Sequence, residues 1–237
     1  MEFNCSIRTD VGHKRKLNED SLLSLPEHGV WAVADGMGGH DSGEVASALV
    51  IEAVANAART EGFDARIARV TGALEAANDS LIAIGRAQDQ KRTMGSTVVA
   101  LLLEEGRYCC LWVGDSRAYL IRHAEVEQLT RDHSLVQDLV DAGMLAAEEA
   151  ENHPDANVLT RAVGASSRFR VDRVSGTPEP GDIFLLASDG LTRLVSKDEI
   201  LAELSGRSLE AAADALLQLT LGRGAPDNVS FALVAVP

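Results

Sequence analysis

The chain has 237 residues, of which 46% are hydrophobic, and a formal net charge of −14. That length suits one large domain or two small ones with an ordinary globular core. The acidity argues against non-specific binding to nucleic acid or to an anionic membrane surface.

Three cysteines without Cys-x-x-Cys spacing point to reduced thiols and a cytoplasmic setting. No apolar run is long enough to span a bilayer, and no N-terminal segment reads as a signal peptide.

In chain order, residues 3–8 predict an edge strand. A polar loop follows, carrying the basic cluster Lys14, Arg15 and Lys16. Residues 21–25 predict a second strand and 26–29 a turn. Residues 30–34 are apolar without Gly or Pro, as expected of a strand buried on both faces. Asp41 and Ser42 offer N-caps, with Glu44 as capping-box partner, for a helix over 43–60. Val45, Leu49, Val50, Ile51 and Val54 nearly encircle it, which predicts deep burial. A second helix follows Asp64, with Ile67, Val70, Leu74, Ala77 and Leu81 at helical spacing.

From Ser96 the period changes. Strands are expected over 97–103 and 108–113 around a turn, then a hairpin of 118–122 and 126–129, together an antiparallel meander. Ser134 caps a short amphipathic helix that ends at Gly143, and an acidic stretch follows. We read residues 134–157 as a flap excursion from the sheet. Strands are expected at 171–174 and 182–187. A helix capped by Ser196 and Glu199 runs through Leu204, another runs from Ser208 through Leu219, and 229–236 is a closing strand. This order lacks the strict alternation of a doubly wound sheet. It predicts an α+β layering, with helix pairs covering antiparallel sheets.

Four of these strands touch an aspartate at one end. Residues 30–34 run into Asp35-Gly36, 108–113 into Gly114-Asp115, and 183–187 into Ser188-Asp189-Gly190; Asp227 directly precedes 229–236. One Asp-Gly after a strand is usually just a turn. Four such sites let carboxylates converge at one end of a sheet core, where they would repel and raise one another's pKa unless a divalent cation neutralised them. Carboxylates without His or Cys favour Mg²⁺ or Mn²⁺ over zinc or copper.

Seven motifs appear in register: R-x-x-N-E-D (15–20), V-A-D-G-M-G-G-H (33–40), G-S-T (95–97), G-D-S-R (114–117), D-H-S (132–134), A-S-D-G-L (187–191) and D-N-V-S (227–230). Together they resemble the metal-dependent PPM family of protein phosphatases (type 2C), in its compact bacterial form, over essentially the whole chain. The resemblance implies a four-layer α/β/β/α sandwich, two antiparallel sheets flanked by helix pairs, as a single domain over 1–237 with the flap inside it. It implies hydrolysis of phosphoserine and phosphothreonine in proteins by a metal-activated water, opposing a Ser/Thr kinase, with two Mn²⁺ or Mg²⁺ ions and no nucleophilic side chain.

By motif, Asp35 resembles the carboxylate that bridges two metals, and Gly36 would offer its carbonyl. Asp189 and Asp227 would complete the first metal site. Asp20, with Glu19 a weaker candidate, would hold metal-bound water. Asp115 resembles the ligand of a third, loosely held ion shared with Asp189. Arg15 would grip the substrate phosphate, and His40 sits near the place of a general acid. The resemblance implies phosphorylated proteins as partners; with no obligate interface suggested by the sequence, a monomer is the default expectation. Two alternatives stand beside it: a regulatory phosphatase for one dedicated partner, and a non-catalytic phosphoprotein-binding module.

Overall fold

Two-residue alternation within the strands assigns their side chains to layers. The computed structural model describes residues 3–38, 42–87, 94–104 and 106–237. One sheet has the order β1-β11-β10-β7-β8, from β1 (Asn4–Asp10), β7 (Arg117–Arg122), β8 (Glu125–Gln128), β10 (Ile183–Ala187) and β11 (Val229–Ala235). The other has the order β2-β3-β5-β6-β9, from β2 (Asp20–Leu25), β3 (Val30–Met37), β5 (Val98–Glu104), β6 (Arg107–Val113) and β9 (Asp172–Gly176). The short β4 (Gly95–Ser96) pairs with β3 beyond the end of β5. Every pair in both sheets is antiparallel.

Trp31, Val33, Val99, Leu101 and Trp112 of one sheet meet Ala118, Leu120, Phe184, Leu186, Ala232 and Val234 of the other. The alternate residues Val30, Ala32, Ala34, Val98, Ala100 and Leu102 pack instead on α1 (Ser42–Ala58) and α2 (Phe63–Ala87). On the opposite side, Leu185, Phe231 and Leu233 pack against Ile200 of α6 (Lys197–Leu204) and Ala212 and Leu216 of α7 (Leu209–Gly222). These are three apolar seams between four layers, α/β/β/α, as the family resemblance implies; the strand and helix order alone predicts the α+β layering.

Several details depart from expectation. The hairpins 98–113 and 117–128 do not form one meander, because β6 and β7 lie in different sheets. The link between them is Gly114-Asp115-Ser116. The expected strand 97–103 appears as β5 from Val98, and the two-residue β4 ahead of Thr97 was not expected. Helix α1 is not buried all round: Val45 is 49% exposed, while Ala46, Val50, Val54 and Ala57 face the sheet. Its expected cap Asp41 lies outside the described residues. Asp35 and Gly36 fall within β3 rather than after it.

The caps follow the sequence more closely. Ser196 and Glu199 form a reciprocal capping box on α6, and the Ser134 hydroxyl accepts from the Gln137 amide at the start of α3 (Leu135–Asp141). The short helices α4 (Ala147–Ala150) and α5 (Asp189–Thr192) were not expected.

Candidate metal centre

Strand register places the first two carboxylates. Asp35 shares the inter-sheet face of β3 with Trp31 and Val33, and Asp20 is its cross-strand partner on β2. Like charges directly opposite destabilise a ladder. The backbone of Asp35 is nevertheless held firmly: its amide donates to Thr97 Oγ1 (3.0 Å), and its carbonyl accepts from the Thr97 amide (2.8 Å) and from Ser96 Oγ (3.0 Å). Thr97 Oγ1 also lies 2.7 Å from Ser116 Oγ, which ties the Asp35 strand to the Asp115 loop.

Asp189 enters from the other sheet as the first residue of α5, and Asp227 from the turn before β11. Asp35, Asp115, Asp189 and Asp227 line one cavity of about 240 Å³, together with Arg15, Glu19, Gly36 and Arg193. Asp20 adjoins them as the cross-strand partner of Asp35, with its Oδ2 accepting from Ser188 Oγ, the neighbour of Asp189, at 2.9 Å. All of the metal-site positions expected from the sequence therefore converge. His40 lies outside the described residues.

The supporting residues are specific. Asn228 Oδ1 accepts from the Glu19 amide (2.8 Å), while its Nδ2 donates to the carbonyls of Val11 (2.9 Å) and Leu17 (3.0 Å), fastening the 11–19 loop to β11. His133 is a strut rather than a ligand. Its Nδ1 accepts from the Gly114 amide (3.0 Å), which fixes the proton on Nε2, 3.3 Å from Asp172 Oδ2. Arg117 forks onto Asp132 (2.8–3.1 Å), behind the Asp115 loop. Gly36 is needed for close approach: a Cβ there would stand 1.9 Å from the Gly43 carbonyl oxygen.

Burial, followed by repulsion from the other aspartates, pushes Asp35 well above the ordinary carboxylate range. Burial also raises Asp20 to about 7, against hydrogen bonds from Ser230 and Ser188. Burial and Asp189 raise Asp115 to about 7, and burial raises Asp189 despite Arg193.

Arg15 donates to Asp227 Oδ2 at 2.7 Å. Arg193 reaches both Asp115 and Asp189. Two guanidinium groups do not balance these carboxylates. Among the described residues, no group of three or more His, Cys, Asp or Glu side chains already forms a metal cage. That is the arrangement expected of mutually repelling charges. The residues fit a hard divalent cation in two respects. The donors are all oxygens, and buried Asp20 Oδ1 has no hydrogen-bond partner, its other oxygen accepting from Ser188 Oγ (2.9 Å).

The sign of the pH dependence follows. With folded pKa values raised, the native state binds more protons than the unfolded state between the ordinary carboxylate pKa of about 4 and about 7. Chelated protein therefore loses stability as pH rises through that window. Its melting temperature should be higher near about pH 5 than near about pH 8, by roughly 2–4 °C per kcal/mol. Saturating Mn²⁺ should reverse that order, because cations displace the protons. Thermal melts with and without chelator check this; no effect of Mn²⁺ on the pH trend would contradict it.

Arg193 is the residue that sequence reading missed. Its only signal is the Asp189–Arg193 spacing of four, which means something only once α5 is known to be helical.

A family model described as Protein phosphatase 2C matches residues 11–222. The chain is 37% identical over 229 residues to the serine/threonine protein phosphatase PstP of Mycobacterium tuberculosis, covering 97% of this chain but 44% of that protein. It thus spans less than half the length of that relative. It is 32% identical to a serine/threonine phosphatase stp of Listeria monocytogenes, covering 98% of this chain and 95% of that one. Among solved structures it superposes on the catalytic domain of PstP in complex with two manganese ions, with a TM-score of 0.89 and 35% identity. That match covers 98% of this chain and 97% of that one.

Proposed function

This chain belongs to the protein phosphatase 2C family, and from that premise we propose that it is a metal-dependent protein-serine/threonine phosphatase. The observation that carries this reading is the pairing of Asp20 opposite Asp35 at a cavity walled by further aspartates. Such a cluster is unfavourable alone and suited to cations.

Two Mn²⁺ or Mg²⁺ ions would be held by Asp35, the Gly36 carbonyl, Asp189 and Asp227, and Asp20 would help hold their water shell. When bound, such a pair supplies Lewis acidity and a water acidic enough to attack phosphorus near neutral pH. The chain's own contribution is orientation and charge. Strand β3, clamped by Ser96 and Thr97, fixes Asp35. Arg15 exchanges Asp227 for the substrate phosphate, where its planar fork can bind two oxygens. No Cys, Ser or His nucleophile is required.

The substrates on this reading are phosphorylated proteins made by a cognate Ser/Thr kinase. We treat residues 1–237 as a single domain in which 134–157 is a flap beside the cavity, and the chain as a cytoplasmic monomer. Among the described residues, no helix is long and apolar enough to cross a membrane.

The test is phosphate release from a phosphothreonine peptide. Release with Mn²⁺ or Mg²⁺ is the expected result. A folded sample that releases none with either ion would shift the reading to a regulatory phosphatase for one dedicated partner. Arg15→Ala should lower kcat/KM roughly 10- to 100-fold, the worth of a charge-assisted hydrogen bond. Arg15→Lys should recover only part of that. Steady-state kinetics decides, and an unchanged value would remove Arg15 from substrate binding.

A further inference from the structure

The family resemblance reserves the Asp115–Asp189 pair for a third cation, but the structure puts one of the chain's own side chains there. Arg193 Nη2 lies 3.3 Å from Asp115 Oδ2, and its Nε lies 3.1 Å from Asp189 Oδ2. The reach has a local cause. Strand β10 ends at Ala187, α5 makes one turn from Asp189, and Arg193 at its C-cap comes back over the residue four before it. An acidic residue N-terminal to a basic one at that spacing is the favourable order. The same Nη2 donates to the Ala156 carbonyl at 3.3 Å, so the guanidinium is held from three directions.

The contact is sheltered. Asp115 is buried, and the Arg193 side chain is only 28% exposed. A guanidinium stays charged at any working pH and, being tethered, competes at a high effective concentration. On the flap side of the pair, the space lined by Asp115, Arg117, Asp189, Thr192 and Arg193 is about 50 Å³. The pair and Arg193 also line the larger cavity of about 240 Å³, so what an ion would meet there is not lack of room but a guanidinium already in contact with both carboxylates. A third ion would therefore have to displace Arg193 or stand beside a like charge.

We propose that Arg193 is a built-in cation that takes the Asp115–Asp189 position in place of a third divalent ion, so that the centre works with two ions. This rests on the phosphatase reading above, in which two ions fill the core.

Calorimetric titration of Mn²⁺ into stripped wild-type protein, Arg193→Ala and Arg193→Lys tests it, with a readout independent of turnover. The wild type should bind two ions. R193A should gain a weaker third, at least about tenfold tighter than any third event in the wild type. R193K, which keeps the charge, should remain at two. A third ion bound by the wild type as tightly as by R193A overturns the proposal and leaves the phosphatase reading standing. Should R193A fail to fold, a third ion in the wild type or in R193K overturns it equally. No Mn²⁺ bound by the wild type overturns the two-ion phosphatase reading and this proposal with it.

Discussion

Asp35→Asn should lower phosphate release from a phosphothreonine peptide at least about a thousandfold while leaving the fold intact, because the lost interaction is electrostatic and sits at the reacting centre. Asn has the same shape, so the backbone clamp from Ser96 and Thr97 survives. Stability should move the opposite way. Asp35 faces Asp20 across the ladder and is raised by burial and by Asp20, Asp189, Asp115 and Asp227. Replacing it with a neutral amide removes that repulsion, so chelated D35N should melt above chelated wild type. Mn²⁺ should then stabilise D35N less than wild type. Parallel activity assays and melts give both answers. Turnover within tenfold of wild type would remove Asp35 from the centre.

Asp132→Ala should cost about 3 kcal/mol, because it strands a guanidinium that is mostly shielded from water. Arg117 and Asp132 have side-chain exposures of 18% and 9%, and Arg117 donates to both Asp132 oxygens. Without Asp132, Arg117 keeps, among the described residues, only longer contacts, to Tyr119 Oη and Glu151 Oε1, both 3.4 Å. The expected fall in melting temperature is roughly 10 °C for a chain of this size. The Arg107–Asp64 pair serves as an exposed control: it is a single contact at 3.0 Å, and its side chains are 50% and 84% exposed. Asp64→Ala should cost little, because solvent screens an exposed pair. Denaturant melts of the two variants decide; equal losses would refute the weight placed on burial.

Why the sequence reveals some of this and hides the rest follows from the range of each interaction. The strand-ending aspartates were legible because strand period and turn chemistry are local, and so were the Ser196–Glu199 box and the Ser134 cap. Which sheet a hairpin joins is not local. The chain 98–128 reads as one antiparallel run, yet Gly114–Ser116 carries it from one sheet to the other.

Helical periodicity likewise lists the apolar residues of α1 but not which of them meet the sheet, so Val45 was expected inside and lies outside. Nothing in the local sequence around Ser96 and Thr97 names their partners. Their partners are Asp35, about sixty residues away, and Ser116. Arg193 was invisible because a one-turn helix has no period to detect.

The central claim is that the converging aspartates form a divalent-cation centre that drives hydrolysis. Stepwise addition of Mn²⁺ to chelator-stripped protein, with bound ions and phosphate release from a phosphothreonine peptide followed on the same sample, tests it most directly. The account predicts no release without metal and release that rises as two ions bind. Undiminished release from the stripped protein would contradict it.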